Sequence, residues 1–414
     1  MAGMQDRTDV VIAGGGQVGL ALALALKRAA PTIAVVVIDT AATEARARTG
    51  RASTIVAGGQ CMLAELGVWS EIAGAAERVT AMEITDSRTG DAVRPVFLTF
   101  PLAETPGGEA YVIGDGIVTQ ALAAHAQDAG VEIATRATVE DFAIDGSTVK
   151  VRIDNGRAIT ARLLVAADGA HSRLRAFAGI QRVGRSYGHS GIVATVAHAR
   201  PHGGKAWEHF LPDGPFAALP LHDDAEGRHL SSLVWTETND VADRLVAGDA
   251  LTFQVELERR FGHRLGALKV IDSPQAFPLG IYLAREFVRP RLALAGDAAH
   301  TVHPIAGQGL NLGYRDAAAL AEVIIDAYRL GLDIGSLSVL ERYQRWRRYD
   351  TAEMALATDG LERLFANDNP LLRIVRDVGL GMVDRLPELK ALFIGNAAGT
   401  TGSDVPRLVR GEAI

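Results

Sequence analysis

Near its start the chain gathers apolar residues into short solid runs. Asp9 to Ala13 (DVVIA) is a β-branched apolar run, the pattern of a strand buried on both faces of a parallel sheet. Glycines follow, and Val18 to Arg28, rich in alanine and leucine, predicts a helix. Ile33 to Ile38 (IAVVVI) predicts a second buried strand, ending at Asp39. Strand, helix and parallel strand within about thirty residues make a βαβ unit. Ala121 to Ala129 reads as helix, Val131 to Ile133 and Thr148 to Ile153 as strands, and Leu163 to Ala167 (LLVAA) as another buried strand. From about Gly184 to Phe277 the texture changes. Gly191 to His198 and Leu230 to Thr236 alternate in polarity between turns at Pro212-Asp213-Gly214 and His222 to Gly227, which predicts an antiparallel sheet. Leu292 to Ala295 (LALA) returns to the buried-strand pattern, and Asp316 to Arg329 and Leu340 to Leu364 predict long two-faced helices. The parallel-sheet pattern therefore opens the chain, is interrupted, and closes near residue 330.

At 414 residues the chain exceeds one ordinary domain, so two or three lobes are expected. A hydrophobic share of 48% with 44 glycines suits a compact α/β protein rather than a disordered one. The formal charge of −7 argues against a general affinity for nucleic acid and for anionic membranes, leaving only a local patch to touch lipid. The single cysteine, Cys61, excludes an internal disulfide and a cysteine-rich metal site, and reads as a small apolar filler. Such scarcity fits a reducing cytoplasm. Leu20 to Leu26 (LALALAL) resembles the core of a secretory signal, but Asp6 and Asp9 give its flank the wrong charge and glycines stand directly before it. No stretch reaches the roughly 20 apolar residues that span a bilayer. The expectation is a soluble cytoplasmic protein, with attachment to the inner-membrane surface as the alternative.

Three glycine-containing turns carry the candidate chemistry. Gly14-Gly15-Gly16-Gln17-Val18-Gly19 is a GxGxxG between strand and helix. Gly14 permits the tight turn, Gly16 lets the backbone approach a pyrophosphate, and Gly19 lets the helix pack on the sheet. The helix N-terminus offers free N–H groups to phosphates, and Asp39, twenty residues beyond Gly19, can accept from ribose hydroxyls. By itself this turn does not choose between NAD and FAD. The second turn runs from Asp168-Gly169 through Ser172 to Arg175; taken alone it is an ordinary Asp-Gly turn with a routine serine N-cap. The third is Gly296-Asp297-Ala298-Ala299-His300, continuing through Pro304 to Gly307-Gln308-Gly309-Leu310-Asn311. There a carboxylate at a strand end meets a helix start near Gly309, an arrangement able to hold a ribityl hydroxyl and to face a developing negative charge.

These three turns, in this order, resemble the class A flavoprotein aromatic hydroxylases, the group containing p-hydroxybenzoate hydroxylase. The resemblance covers about the first 345 residues. The stretch Gly296 to Leu320 and the tail GTTGSDVPRLVRGEAI are similar in particular to the ubiquinone-biosynthesis hydroxylases. It implies an α/β fold: a Rossmann-like FAD-binding domain of the GR2 type (1–75, 106–182 and 284–345), an inserted, mainly antiparallel β substrate domain (76–105 and 183–283) and a C-terminal helical region (346–414). It implies FAD as the bound cofactor, touched by Gly14, Gly16, Gln17, Gly19 and Asp39, by Asp168 with Arg175, and by Gly296, Asp297, Pro304, Gly307, Gly309, Leu310 and Asn311. Arg51 falls where the family has an arginine near the flavin, although the segment that usually follows is replaced here by Ala52-Ser53-Thr54-Ile55-Val56.

The activity implied is hydroxylation of the aromatic ring of a polyprenyl phenol, by way of a flavin C4a-hydroperoxide formed with O₂. The protein supplies position, a dry pocket and electrostatics. No second complete GxGxxG unit is present, so NAD(P)H would bind transiently near the second turn, or a ferredoxin-type donor would reduce the flavin. His300 is the candidate base for a substrate phenol, against a structural hydrogen-bonding role. His300 and His303 form an HxxH pair, but no motif supplies an acidic third ligand, so no metal site is expected. Trp207, Phe210, Phe216 and Trp235 are available to line an apolar pocket, and core packing explains them equally well. The stretch 361–392 mixes apolar residues with Arg363, Arg373, Arg376, Arg385 and Lys390. It reads as a helical cap, with docking on a membrane or on other ubiquinone-biosynthesis proteins as the alternative. The competing functions are a hydroxylase of small soluble phenols, a prenyl-chain reductase and a non-catalytic flavin-binding scaffold.

Overall fold

The computed structural model describes residues 7–43, 50–86, 95–211, 214–302, 307–365, 394–395, 398–399 and 405–414, with the side chains of 357 and 361–365 left aside. Pro212, Asp213 and the stretch 366–393 lie outside the described residues. In chain order the elements used below are β1 (Arg7–Ala13), α1 (Gln17–Ala29), β2 (Val35–Asp39), β3 (Ala52–Val56) and β4 (Ala81–Asp86). Next come α2 (Asp115–Asp128), β5 (Glu132–Thr135), β6 (Ala158–Ala166), α3 (Arg173–Phe177), β7 (Arg182–His198), β8 (Lys205–Leu211), β9 (Gly214–Leu221) and β10 (His229–Thr238). The series ends with α4 (Asn239–Ala247), α5 (Ala250–Phe261), β11 (Gln275–Ala284), β12 (Leu292–Leu294), α6 (Gln308–Arg329) and α7 (Leu337–Phe365).

The solid apolar runs become the centre of a sheet ordered β12-β6-β1-β2-β5, each neighbouring pair parallel. Val10, Val11 and Ile12 of β1 are wholly buried, as a solid apolar run in a parallel sheet requires. The run Leu20 to Leu26 is the body of α1, and every one of its residues is buried. A helix apolar all round needs cover on all sides; α2 and α6 pack against it on top of the sheet. An antiparallel hairpin, Val139–Asp145 with Thr148–Ile153, extends this sheet from β6.

The second sheet has the order β11-β7-β10-β9-β8-β4, with His300–Thr301 beyond β11 and Val96–Phe100 beyond β4. Its pairs are antiparallel apart from β8 with β4, which is parallel. The short strand at His300 ties the third glycine turn directly to β11 through the pairing of Leu283 with His300. The alternating segments within 184–277 predicted an antiparallel sheet, and that range also holds two helices they did not signal, α4 and α5. Asp249 caps α5 by accepting from the Thr252 amide, and Phe253, Leu257 and Phe261 recur every four residues on one face. That face and Ala242 and Leu245 of α4 bury one side of the sheet against Trp207, Phe216 and Trp235. Each such fully buried side chain contributes about 1.5–3 kcal/mol. The other side of the sheet is left to form a wall.

Candidate active site

The uncovered face of the antiparallel sheet looks toward the carboxyl ends of β1, β2 and β6, and a cavity of about 820 Å³ lies between them. Ligands of parallel α/β sheets bind at that end of the strands, and the volume is in the upper part of the roughly 300–1,000 Å³ range of small-molecule sites.

The first turn closes one end of the cavity. Gly14 sits at φ 118°, and a Cβ there would lie 2.1 Å from the Ala167 carbonyl oxygen, so only glycine lets β1 turn against the end of β6. A Cβ on Gly19 would lie 2.0 Å from the Gly14 oxygen, which is the close helix–strand packing the spacing predicted. Gly16 differs: a Cβ would meet nothing within 4 Å, and the residue lines the cavity. Gly16 is the N-cap of α1, with no side-chain cap and no acidic residue in the first turn, so the helix presents bare N–H groups and positive dipole to the space in front of it. Gln17 also lines the cavity, held by the Tyr314 hydroxyl donating to its Oε1 at 2.5 Å. Asp39 ends β2 at the cavity wall and accepts from the Ala41 amide at 2.9 Å.

In the second turn Asp168 lines the cavity with its two carboxylate oxygens in different situations. Oδ2 accepts from the amides of Arg173 and Leu174, capping α3, while Oδ1 is buried with no hydrogen-bond partner among the described residues. Ser172 caps the same helix by accepting from the Arg175 amide. Arg175 is not among the cavity-lining residues. Its guanidinium donates to the carbonyls of Ala298 at 2.8 Å and Ala170 at 3.0 Å, so it fastens the second turn to the third.

The third turn brings Gly296, Asp297, Gly307, Gly309 and Leu310 to the same cavity. Gly307, at φ 63°, starts α6 with no side-chain cap and no acid in the first turn, so a second bare helix N-terminus faces inward. A Cβ on Gly309 would again meet nothing within 4 Å. The surface Asp297 exposes is cavity wall rather than the outside of the protein. Burial accordingly pushes its carboxyl above the usual range, against the pull of His300 and Arg51. Arg51 lines the cavity beside β3, 3.8 Å from Asp115 and 5.0 Å over the Phe277 ring, bridging the two sheets.

His300 and Asn311 stand behind this wall. His300 is 2% exposed and its Nε2 lies 2.5 Å from Asp316 Oδ2, which also accepts from the Gly296 amide. Arg347 of α7 donates to the other Asp316 oxygen at 2.7 Å. Burial favours the neutral acid at Asp316, but the charges of His300 and Arg347 outweigh it and hold the carboxyl low. Asn311 donates to the carbonyls of Thr54 and Gly307 and accepts from the Val56 amide, locking α6 to β3. His303 and Pro304 lie outside the described residues.

Side-chain parity decides the opposite wall. Successive residues of a strand face opposite ways, and on β10 Val234 and Thr236 line the cavity while Trp235 points into the α4–α5 core. On β9 the lining residues are Pro215, Ala217 and Leu219, with Phe216 in the core. Trp207 is on the core side of β8, and Phe210 is buried against Ile84 and Leu98. Of the four aromatics for which lining and core packing stood equally open, Trp207, Phe216 and Trp235 take the core side, and Phe210, on the same face of β8 as Glu208, is buried in a separate cluster. The wall is built from smaller apolar groups, joined by Val193, Met82, Phe277 and Leu279, and by one acid not singled out from the sequence, Glu208.

The described residues fit FAD on several observations. Gly16, Gly169 and Gly309, one from each turn, leave backbone bare where a Cβ would stand in open space of the cavity. Two uncapped helix starts suit a pyrophosphate and an electron-rich ring, and Asp39, Asp168 Oδ1 and Asp297 suit hydroxyl and N–H donors.

Fold and site together define a flavin-binding α/β protein of the two-sheet type. A family model described as an FAD binding domain matches residues 7–356, and the chain belongs to that family. It is 41% identical over 420 residues to ubiquinone hydroxylase UbiL of Rhodospirillum rubrum, covering 99% of this chain and 95% of that protein. It is 34% identical over 402 residues to 3-demethoxyubiquinol 3-hydroxylase of Escherichia coli, covering 95% and 98%. Among solved structures, p-nitrophenol 4-monooxygenase from Pseudomonas putida superposes with a TM-score of 0.80 at 22% identity, covering 96% of this chain and all of that one, a likeness of fold.

Proposed function

We propose that this protein is an FAD-dependent monooxygenase that hydroxylates the aromatic ring of a polyprenyl-phenol intermediate in ubiquinone biosynthesis. The observation that carries the reading is the continuity of one cavity: glycine turns and bare helix starts at one end, a largely apolar sheet wall at the other. Two relatives named above, each spanning nearly the whole chain, support the substrate class. Bound FAD would supply the two-electron chemistry that divides O₂ between a ring hydroxyl and water, with NAD(P)H or a ferredoxin-type donor providing the electrons.

The residues of the chain have assignable parts. The N-termini of α1 and α6 hold negative charge, Gly14 and Gly19 fix the first turn, and Gly16 and Gly309 let backbone approach the cofactor. Asp39, Asp168 and Asp297 accept from its hydroxyl and N–H groups, with Arg51 beside them. Arg175, Asn311 and His300 are positioning residues: each ties one turn to its neighbours, and none lines the cavity. The sheet wall orients an apolar substrate and excludes water. The proposed cofactor domain comprises 1–75, 106–182 and 284–345, the substrate domain 76–105 and 183–283, and the C-terminal region 346–414. Among the described residues no helix is long and apolar enough to cross a membrane.

The test is turnover. Purified protein loaded with FAD should consume O₂ and reductant and add oxygen to a prenylated phenol. A deletion strain should accumulate the under-hydroxylated intermediate, read by mass spectrometry. Normal quinone in that strain, or a reaction that consumes a tail double bond without O₂, refutes the proposal.

A further inference from the structure

Glu208 is the only ionisable side chain that the described residues place on the sheet wall of the cavity. It lies in the middle of β8, is 5% exposed and lines the cavity. The register fixes its surroundings. Glu208 pairs with Ile84 of β4 on one side and Ala217 of β9 on the other, and Ala206 and Phe210 share its face along the strand. All four are apolar. No hydrogen bond or ion pair engages its carboxylate among the described residues.

An isolated acid in such a place costs stability unless something completes it. Burial alone pushes this carboxyl up, to about 7. The charged groups around it are occupied or distant in the fold. On β4, Glu83 faces the opposite side with Lys205, Trp207 and Arg264. On α7, Asp350 is tied to Arg315 and Arg347, and Asp359 to Arg185. The other ionisable groups on the cavity wall belong to β2 (Asp39), the Arg51–Asp115 pair, the second turn (Asp168, His171 and Arg173) and the third (Asp297).

We propose that Glu208 is the partner of the substrate's ring hydroxyl, accepting its hydrogen bond and then its proton. This rests on the monooxygenase reading and specifies it. In the step the phenol O–H bond breaks, its proton forms an O–H bond on the Glu208 carboxylate, and the electron pair stays on the ring oxygen. The resulting phenolate is the stronger donor at the ring carbon that receives oxygen, and the proton returns when the product regains its phenol. A specificity follows. Among the described residues the wall offers an acid and no cation at this end, so it favours neutral phenols with apolar substituents over rings bearing a carboxylate.

The experiment compares FAD-loaded wild type, Glu208→Gln and Glu208→Asp on a short-tailed prenylated phenol, on its O-methyl ether and on the corresponding ring carboxylic acid. The expected result has four parts. The glutamine variant retains the flavin absorbance but loses about 100-fold in kcat/KM on the phenol. Wild-type kcat/KM rises with pH through an apparent value of about 7, because only the ionised acid accepts a proton, and the glutamine profile is flat over that range. The aspartate variant regains part of the rate, and the O-methyl ether is turned over alike by wild type and glutamine variant. The carboxylic acid binds the wild type poorly and the glutamine variant better. Equal kcat/KM and equal pH profiles in wild type and glutamine variant overturn the proposal. So does an equal loss on phenol and ether, which marks a packing effect, and so does loss of flavin by both variants. A wild type that hydroxylates no prenylated phenol overturns the underlying function as well, which separates the two failures.

Discussion

His300 and Asp316 meet at 2.5 Å between Nε2 and Oδ2, both side chains almost wholly buried, directly behind the third glycine turn. The same carboxylate holds the Gly296 amide at 2.9 Å and Arg347 at 2.7 Å. One acid thus joins the turn, the strand at His300 and two long helices. Removing one partner of a buried charge network costs about 3–5 kcal/mol. Asp316→Asn should fall toward the lower end, because Arg347 keeps Asp350. Denaturant unfolding followed by flavin absorbance should show a lower midpoint and earlier loss of FAD; an unchanged midpoint would refute this role.

Acid sensitivity follows from the same group. The Asp316 carboxyl is held below its ordinary value by His300 and Arg347. A lowered carboxyl stabilises the fold above its unfolded value, about 3.9, and that contribution disappears as pH falls through the folded value. Stability measured from pH 7 down to pH 3 should therefore decline more steeply in wild type than in Asp316→Asn, the two curves converging at the acid end. Parallel curves would contradict it.

The glycines of the first turn separate binding from folding. Gly19→Ala places a Cβ 2.0 Å from the Gly14 oxygen and should destabilise the protein by roughly 1–3 kcal/mol. Gly16→Val puts its side chain into open cavity, so the FAD-free protein should unfold near the wild-type temperature while affinity for FAD drops at least about tenfold. Calorimetry of both FAD-free variants, with FAD titration, checks the contrast; a Gly16→Val protein that binds FAD normally would refute the placement of the cofactor.

The contrast also marks what the sequence makes legible. Glycine constraints are local, so the distinct parts of Gly14, Gly16 and Gly19 follow from spacing alone, as does the burial of the parallel strands from their solid apolar runs. The wall is not local. Both faces of β8, β9 and β10 carry apolar residues, one for α4 and α5 and one for the cavity, so alternation cannot tell which parity is which. The large aromatics drew attention, but packing sends Trp207, Phe216 and Trp235 to the helices. The repeat of Phe253, Leu257 and Phe261 behind the Asp249 cap was a readable sign of α5. Glu208 and Asp316 each have no sequence neighbour that announces them; their meaning comes from pairing across the fold.

Asp297 should matter for the cofactor more than for the fold. Burial pushes its carboxyl up, yet the side chain is exposed to the open cavity, so water screens that effect in the FAD-free protein. Asp297→Asn should therefore leave the FAD-free melting temperature at pH 7 close to wild type. Affinity for FAD should fall by roughly tenfold or more, the loss of a hydrogen bond to a charged acceptor being about 1.5–3 kcal/mol. Melting with and without FAD measures both effects, and a variant that is less stable yet binds as tightly would reverse the assignment.

Val234 and Trp235 are neighbours on β10 with opposite duties, and replacing each should break a different property. Trp235 is 1% exposed, packed against Phe216 and Phe253, with its indole N–H donating to Glu237. Trp235→Ala should cost about 3–5 kcal/mol, through lost packing and a remaining cavity, and lower the unfolding midpoint whether or not substrate is present. Val234 pairs with Ala217 and Val193 in the row that continues to Glu208, so Val234→Phe pushes a ring into the substrate end of the cavity. That protein should fold and hold FAD as wild type does, while KM for a prenylated phenol rises at least about tenfold and more reductant is consumed per hydroxylated product. If Val234→Phe instead unfolds while Trp235→Ala only changes KM, the parity is reversed and the substrate wall must be the other face of the sheet.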